Sequence, residues 1–326
     1  MDTNSKHIND IREKVHYLRR TLAEYFVGKE EIIDLMCICL LAQEPLLIIG
    51  KPGTAKSDLV IKFSQALGLT GEDYFEYMLT KFTEPSELIG PIDINELREG
   101  HYIRKVEGKL PTAKIVFLDE IFKSNSAILN TLLTIINERK FYQEGRPISV
   151  PLKMLFAATN EIPDFNELDA LKDRFAVKIK SEGVQDDAFE ELVDKGVRNE
   201  MLRVTKRRPW EGMCSLEEFE TLKSYLDDMM YKGVSQSATE ERNNFFPEEV
   251  FSLFRRIVRC LEREDRVEIS DRKVIKLYRL IRTRAFLFHG GVVKKEDLVL
   301  LRYVANRQQD IELVSKKVNA LLRIEG

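Results

Sequence analysis

Apolar residues recur at three- and four-residue spacing near the start of the chain, at Ile11, Val15, Leu18 and Leu22. That spacing predicts helices within residues 10–42. The pattern then changes to short unbroken runs: LLII at 46–49, IVFL at 115–118 and MLFAA at 154–158. YFEYML at 74–79 is a less pure member of the set, and FAVKI at 175–179 alternates. Unbroken apolar strands are buried on both faces, as in a parallel sheet covered by helices. Between them lie helical stretches such as SAILNTLLTIINER at 126–139, with Ile128, Leu129, Leu132, Leu133 and Ile136 on one side. Strand and helix in alternation predict a doubly wound α/β domain.

After about residue 183 the strand pattern stops. PEEVFSLFRRIVRCLERE, DRKVIKLYRLIRTRAFLF and DIELVSKKVNALL all fit helices, the last carrying Ile311, Val314, Val318, Leu321 and Leu322 in one stripe. The polar stretch GVSQSATEERNN, residues 233–244, reads as a loop. The expected plan is an α/β domain over residues 1–184 followed by an all-helical domain over 185–326.

Composition narrows the classes of partner. A chain of 326 residues is long enough for about two domains of ~150 residues. Its 51 basic and 54 acidic side chains leave a formal charge of −3, which supplies no global attraction to nucleic acid or anionic membrane. Cys37, Cys39, Cys214 and Cys260 fit neither a metal pair nor a disulfide framework, and the four histidines are scattered. MDTNSKHIND lacks the apolar core of a signal peptide, and no apolar run reaches the ~18 residues of a membrane span. A soluble, cytoplasmic protein is expected.

The run LLII leads into GKPGTAKS, which is G-x-x-x-x-G-K-[ST] with Ala55 in place of the second glycine. A helix follows, with Leu59, Val60, Phe63 and Leu67 on its apolar side. Strand, loop and helix in this order form the context a phosphate-binding loop requires. Amides at the helix start would face phosphate, Lys56 would reach the β and γ phosphates, and the Ser57 hydroxyl would hold Mg2+. Gly50 and Gly53 remain where the loop turns, and Ala55 is expected to have already entered the helix, where a methyl fits. Taken alone, the segment can also be read as a strand-to-helix turn that contains Gly, Lys and Ser.

A second motif changes that balance. IVFL ends in Asp119-Glu120, at the carboxyl edge of a strand, where α/β sheets bind ligands. Asp119 would act through the Mg2+ shell, and Glu120 would polarise a water for attack on the γ-phosphate. By itself an acidic pair at a strand end reads as a helix cap; coupled to the upstream loop, it reads as the second half of a nucleotide site.

GKPGTAKS, IVFLDE and MLFAATNEIP together resemble the AAA+ ATPases. The wording around them, TKFTEPSELIGPIDINELREGHYIRKVEGKLPTAKIVFLDEIFKSNSAILNTLLTIINERKF above all, is similar to the MoxR family and its RavA-like branch. The resemblance runs from about residue 9 to the C-terminus and is strongest between 45 and 175. It implies an AAA+ P-loop NTPase domain, a parallel sheet between helices, followed by an all-helical lid. It also implies ATP or ADP bound with Mg2+ by Gly50, Lys51, Pro52, Gly53, Thr54, Ala55, Lys56, Ser57 and Asp119, with Val27 and Gly28 flanking the adenine. Asn160 matches the sensor that positions the attacking water. Arg174 matches the finger inserted into a neighbour's site, which implies a homo-oligomer, a hexameric ring. Arg272 matches the second sensor, reading the γ-phosphate from the lid.

Residues 88–108 resemble the insert that interrupts the family's second helix, and 140–151 resemble its hairpin; QEGRP between Phe141-Tyr142 and Ile148 supports a hairpin without the family. The implied function is ATP hydrolysis coupled to remodelling or maturation of a client, such as a von Willebrand factor A (vWA) domain protein. Two alternatives belong to other classes. One is a nucleotide-gated scaffold with little turnover; the other is a DNA-associated motor, against which the acidic balance counts.

Overall fold

The computed structural model describes residues 3–69, 71–184, 188–231 and 238–324. Helices α1 (Thr3–Tyr25) and α2 (Glu30–Ala42) come first, followed by β1 (Leu46–Ile49), α3 (Lys56–Ala66) and β2 (Tyr74–Met78). The short helices α4 (Pro85–Ile89) and α5 (Ile94–Arg98) precede β3 (Ile115–Asp119) and α6 (Ser126–Glu138). A hairpin of β4 (Lys140–Gln143) and β5 (Arg146–Ser149) leads to β6 (Met154–Thr159), α7 (Asp169–Lys172) and β7 (Val177–Lys180). Beyond lie α8 (Phe189–Val204), α9 (Leu216–Tyr231), α10 (Ala238–Phe245), α11 (Glu248–Arg263) and α12 (Asp271–His289). A 3₁₀ stretch (Lys295–Tyr303) and α13 (Asp310–Ile324) complete the order.

β2, β3, β6, β1 and β7 form one parallel sheet in that spatial order. Every residue of β1 and β6 is buried, as the unbroken apolar runs require. Because β6 lies between β1 and β3, the carboxyl ends of three neighbouring strands open onto one edge. Among the described residues no helix is long and apolar enough to cross a membrane. Cys37 and Cys39 are buried thiols whose pKa burial pushes up.

The hairpin turns at Glu144 (φ 51°) and Gly145 (φ 73°), both left-handed as a two-residue turn between twisted strands requires. Its tip meets the other insert: the Tyr102 amide donates to Glu144 Oε1 at 2.6 Å, and His101 lies 3.5 Å from the same oxygen. The loop expected over 233–244 is corrected in its second half, where residues 238–245 form α10; residues 233–237 lie outside the described residues. Ala, Glu and Arg in ATEER favour helix despite their polarity. Phe246, fully buried and stacked on Tyr278 with centroids 5.5 Å apart, anchors the end of that helix.

α8 and the segment after it bond to α1 and α3. Lys195 Nζ donates to the Ala23 carbonyl at 3.1 Å, Asn199 to Tyr25 at 3.0 Å, and Trp210 Nε1 to Gln65 at 2.9 Å. Further along, α12 lies against α2, where Lys276 pairs with Glu44 at 2.9 Å.

Two lysines are buried at the join with β7. Lys178 and Lys273, each 1% exposed, both donate to Asn306 Oδ1 at 2.8 Å, and their remaining bonds go to the Phe175 and Val304 carbonyls. Burial drives the Lys178 pKa well down, with the charge of Lys273 adding to it, and burial lowers Lys273 to about 8. An unfolded lysine titrates at about 10.4, so between pH 8 and that value the unfolded chain binds more protons than the folded one. Stability from this group therefore rises with pH across that window, and the full penalty of the charged amine is carried below pH 8. Lys273→Met is expected to stabilise the fold by about 1–3 kcal/mol at pH 7 and to lose most of that advantage by pH 10.5. Denaturant unfolding at the two pH values measures it, and an equal difference at both would refute it.

Candidate active site

The turn after β1 is held from both sides. The Gly50 amide donates to the Thr159 carbonyl of β6 at 3.0 Å, and Ser181 Oγ, just beyond β7, donates to the Thr54 carbonyl at 2.7 Å. A Cβ at Gly50 would sit 2.3 Å from the Ser181 carbonyl oxygen, so only glycine lets the loop lie against that strand end. Gly53 takes φ +83°. Ala55 corrects the expectation drawn from the sequence. It has not entered the helix but caps it at φ +63°, ψ 19°, a left-handed conformation that costs an L-residue about 1–2 kcal/mol. Helix α3 therefore begins at Lys56.

Lys56 is buried, with Nζ on the Gly50 carbonyl at 2.5 Å and the Lys51 carbonyl at 3.1 Å, and 3.4 Å from Asn160 Oδ1. Burial lowers its pKa, while Asp119 and Glu120 act in the opposite direction. Asn160 follows β6 and turns its other face to Glu120, with Nδ2 donating to Glu120 Oε1 at 2.5 Å. An ammonium only donates and a carboxylate only accepts, so these neighbours dictate which way the amide points. Ser57 Oγ donates to Asp119 Oδ2 at 3.3 Å, and Asp119 Oδ1 accepts the Glu120 amide at 2.9 Å.

Lys56, Ser57, Asp119, Glu120 and Asn160, drawn from three strand ends, thus form one connected network. A hydroxyl and a carboxylate beside each other are hard oxygen ligands of the kind Mg2+ takes, and the buried ammonium above the turn suits phosphate. Glu120 stands in the left-handed region, φ +55°. Glu120 in this network and Ala55 beside it thus hold backbone that elsewhere favours glycine, the kind of local strain that clusters at functional sites.

Val27 and Gly28 lie one strand further over. Gly28 has φ +61°, and a Cβ there would fall 2.8 Å from Val184 Cγ1. Both residues line a cleft of about 570 Å³ together with Val184, Tyr303 and Ile311. No motif marks Tyr303, Ile311 or Ser181 in the sequence. Their only signal is apolar or small character at positions that the tertiary fold brings to this cleft or, for Ser181, to the loop. A larger cleft, about 1070 Å³, opens beyond Glu120 and Asn160 and is lined also by Lys81, Lys123 and Phe165.

Arg174 and Arg272 stand at the opposite edge of the sheet. Arg174 precedes β7, and its carbonyl accepts Lys276 Nζ of α12 at 3.1 Å. Ser270, at the start of α12, donates to Asp173 at 3.2 Å, and Arg272 two residues on is exposed. Lys276 and Arg279 of the same helix reach Glu44, which precedes β1. All these anchors sit at the amino ends of the strands, whereas Lys56, Glu120 and Asn160 occupy the carboxyl ends. The structure brings Arg174 and the start of α12 together; it does not bring Arg272 to the phosphate loop of its own chain.

Comparison with known proteins agrees with this architecture. Residues 13–223 match a family model described as the MoxR domain in the MoxR-vWA-beta-propeller ternary systems, and residues 249–318 match an AAA lid domain. An uncharacterized protein of Methanocaldococcus jannaschii is 33% identical over 95% of this chain and 75% of its own length. The chaperone MoxR1 of Mycobacterium tuberculosis is 27% identical over 51% of this chain and 44% of that protein. A crystal structure from Cytophaga hutchinsonii, described as that of a candidate ATPase, superposes with a TM-score of 0.70 over 98% of this chain and 96% of that one. At 17% identity this is a likeness of fold. On the strength of a family match that covers most of the sheet domain and a lid match behind it, the chain belongs to the MoxR family of AAA+ ATPases.

Proposed function

We propose that the chain binds ATP with Mg2+ on the loop 50–57 and hydrolyses it to drive remodelling or maturation of a partner protein. The observation that carries this reading is the single network joining Lys56, Asn160, Glu120, Asp119 and Ser57. Bound MgATP would supply the electrophilic phosphorus and a divalent charge. The chain's own groups would do the rest. Lys56 would exchange its carbonyl partners for phosphate, Ser57 and Asp119 would hold the metal, and Asn160 and Glu120 would orient and polarise the water. Val27 and Gly28 flank the base, in a cleft that lid residues Tyr303 and Ile311 complete, so the lid can feel the nucleotide.

The partner in this reading is a vWA-domain protein, the class that the matched family's description names. The RavA-like placement is a finer assignment that rests on the wording of residues 80–141. A division into a nucleotide-binding unit (1–184) and a lid (185–326), and action in the cytoplasm, belong to the same proposal.

Arg174 stands on the edge away from its own loop, which suits a finger offered to a neighbour, and Arg272 on the same edge suits the same direction. Catalysis then requires a ring, with six subunits as the family resemblance implies. Arg174→Ala and Lys56→Ala are each expected to be nearly inactive. An equimolar mixture should regain up to about a quarter of wild-type turnover, because random assembly pairs an intact loop with an intact finger at that frequency. A mixed assembly, verified by size and tag, that turns over no faster than its parents would overturn the finger assignment. ATP-dependent assembly with no turnover even in wild type would favour the scaffold instead.

A further inference from the structure

Glu120 has a second partner besides Asn160, an ion pair, and no motif assigns it. Lys123 Nζ lies 3.3 Å from Glu120 Oε1, the same oxygen that takes the Asn160 amide. The two residues are joined by one tight 3₁₀ turn, closed by the Lys123 amide on the Glu120 carbonyl at 2.8 Å. Ile121 and Phe122 at its centre are buried, and Ser124 Oγ caps it on the Ile121 carbonyl at 2.7 Å. A rigid turn therefore aims the lysine back at the carboxylate. The Glu120 side chain is 9% exposed and that of Lys123 55%, so the ammonium approaches from the wall of the larger cleft while the carboxylate stays inside.

Asn160 is not the sole neighbour of the Glu120 carboxylate. Its amide is shared, Oδ1 toward Lys56 and Nδ2 toward Glu120. When Lys56 turns to a phosphate, the amide loses one of the two neighbours that set its orientation. Lys123 has no such second duty, and its bond to Glu120 does not depend on what occupies the loop. With the Asn160 amide and the Lys123 ammonium both at Oε1, Oε2 is left as the oxygen that can take a proton from water.

We infer that Lys123 is a positioning residue for Glu120, fixing the carboxylate that polarises the attacking water. The inference rests on the proposed role of Glu120. An ordinary half-exposed ion pair contributes little to stability and nothing specific to turnover, so kinetics separates the two.

The test uses the full chain with Lys123→Met, Lys123→Arg and Lys123→Met in a Glu120→Gln background, reading kcat, KM and the affinity for ATP. Lys123→Met is expected to lower kcat about tenfold with ATP affinity within about twofold of wild type, and Lys123→Arg to restore most of the loss. In the Glu120→Gln background the same change should alter residual turnover by less than about twofold, because the group it positions is already disabled. Unchanged kcat in Lys123→Met, failure of arginine to rescue, or an equal loss in the Glu120→Gln background would overturn the inference while leaving Glu120 in its role. Full activity of Glu120→Gln alone would overturn both.

Discussion

Lys56→Ala loses nucleotide binding, with an expected fall in ATP affinity of at least about 100-fold. The ammonium is buried at the loop and within reach of two loop carbonyls, so it is in place before any phosphate arrives. A charge-assisted bond of this kind is worth roughly 1.5–3 kcal/mol, and Lys56 is expected to make more than one to phosphate. Losing about 3 kcal/mol corresponds to roughly two orders of magnitude in affinity. Alanine also leaves the Gly50 and Lys51 carbonyls without that donor. Titration with a fluorescent ATP analogue measures the loss, alongside a circular dichroism spectrum showing the fold retained. Wild-type affinity in the variant would remove the loop from the mechanism.

Glu120→Gln is expected to separate binding from turnover. Glutamine has nearly the same shape and keeps an oxygen that can accept from Asn160 Nδ2 and Lys123 Nζ, so the network that holds the position survives. What disappears is a group able to draw a proton from water. General-base catalysis contributes about 10²–10⁴-fold, so kcat should fall by at least about 10² while ATP affinity changes little. Steady-state turnover together with a binding titration reads both quantities, and a variant as active as wild type would sink the role of Glu120. Under the proposed function, the same variant, retaining ATP, is the form in which a vWA-domain partner should stay bound longest.

Much of the site was legible because it is built from local signals. A buried strand needs an unbroken apolar run, and a phosphate loop needs turn glycines, a lysine and a helix start in immediate succession. Residues 46–57 and 115–120 satisfy those requirements within their own segments. Ala55 was misread for a reason that is also local in origin. The residue before the lysine sits at the junction of turn and helix, and sequence spacing does not tell which side of the junction it takes. The closure of the loop against Ser181 and Thr159 sets its φ at +63°. The polar run 238–244 was read as loop because its composition lacks an apolar stripe, and the contact that anchors it comes from Phe246 on Tyr278, outside the run.

Strand order lay beyond any reading of single segments. β6 inserts between β1 and β3, and only that order puts Asn160 within reach of both Lys56 and Glu120. The same holds for Tyr303 and Ile311, which reach the cleft of Val27 and Gly28 because the end of the chain folds back over β7. Arg272 was legible as a motif match, but its edge was decided by the docking of α12 on α2 through Lys276, Arg279 and Glu44.

The sequence by itself determined the class of fold, the glycine turn with its lysine and the acidic strand end, since each is a short-range pattern of burial, turn geometry and charge. The tertiary structure alone decided which strand ends meet and that both arginines stand away from their own loop. Those outcomes depend on packing between segments far apart in the chain, and local periodicity carries no information about it.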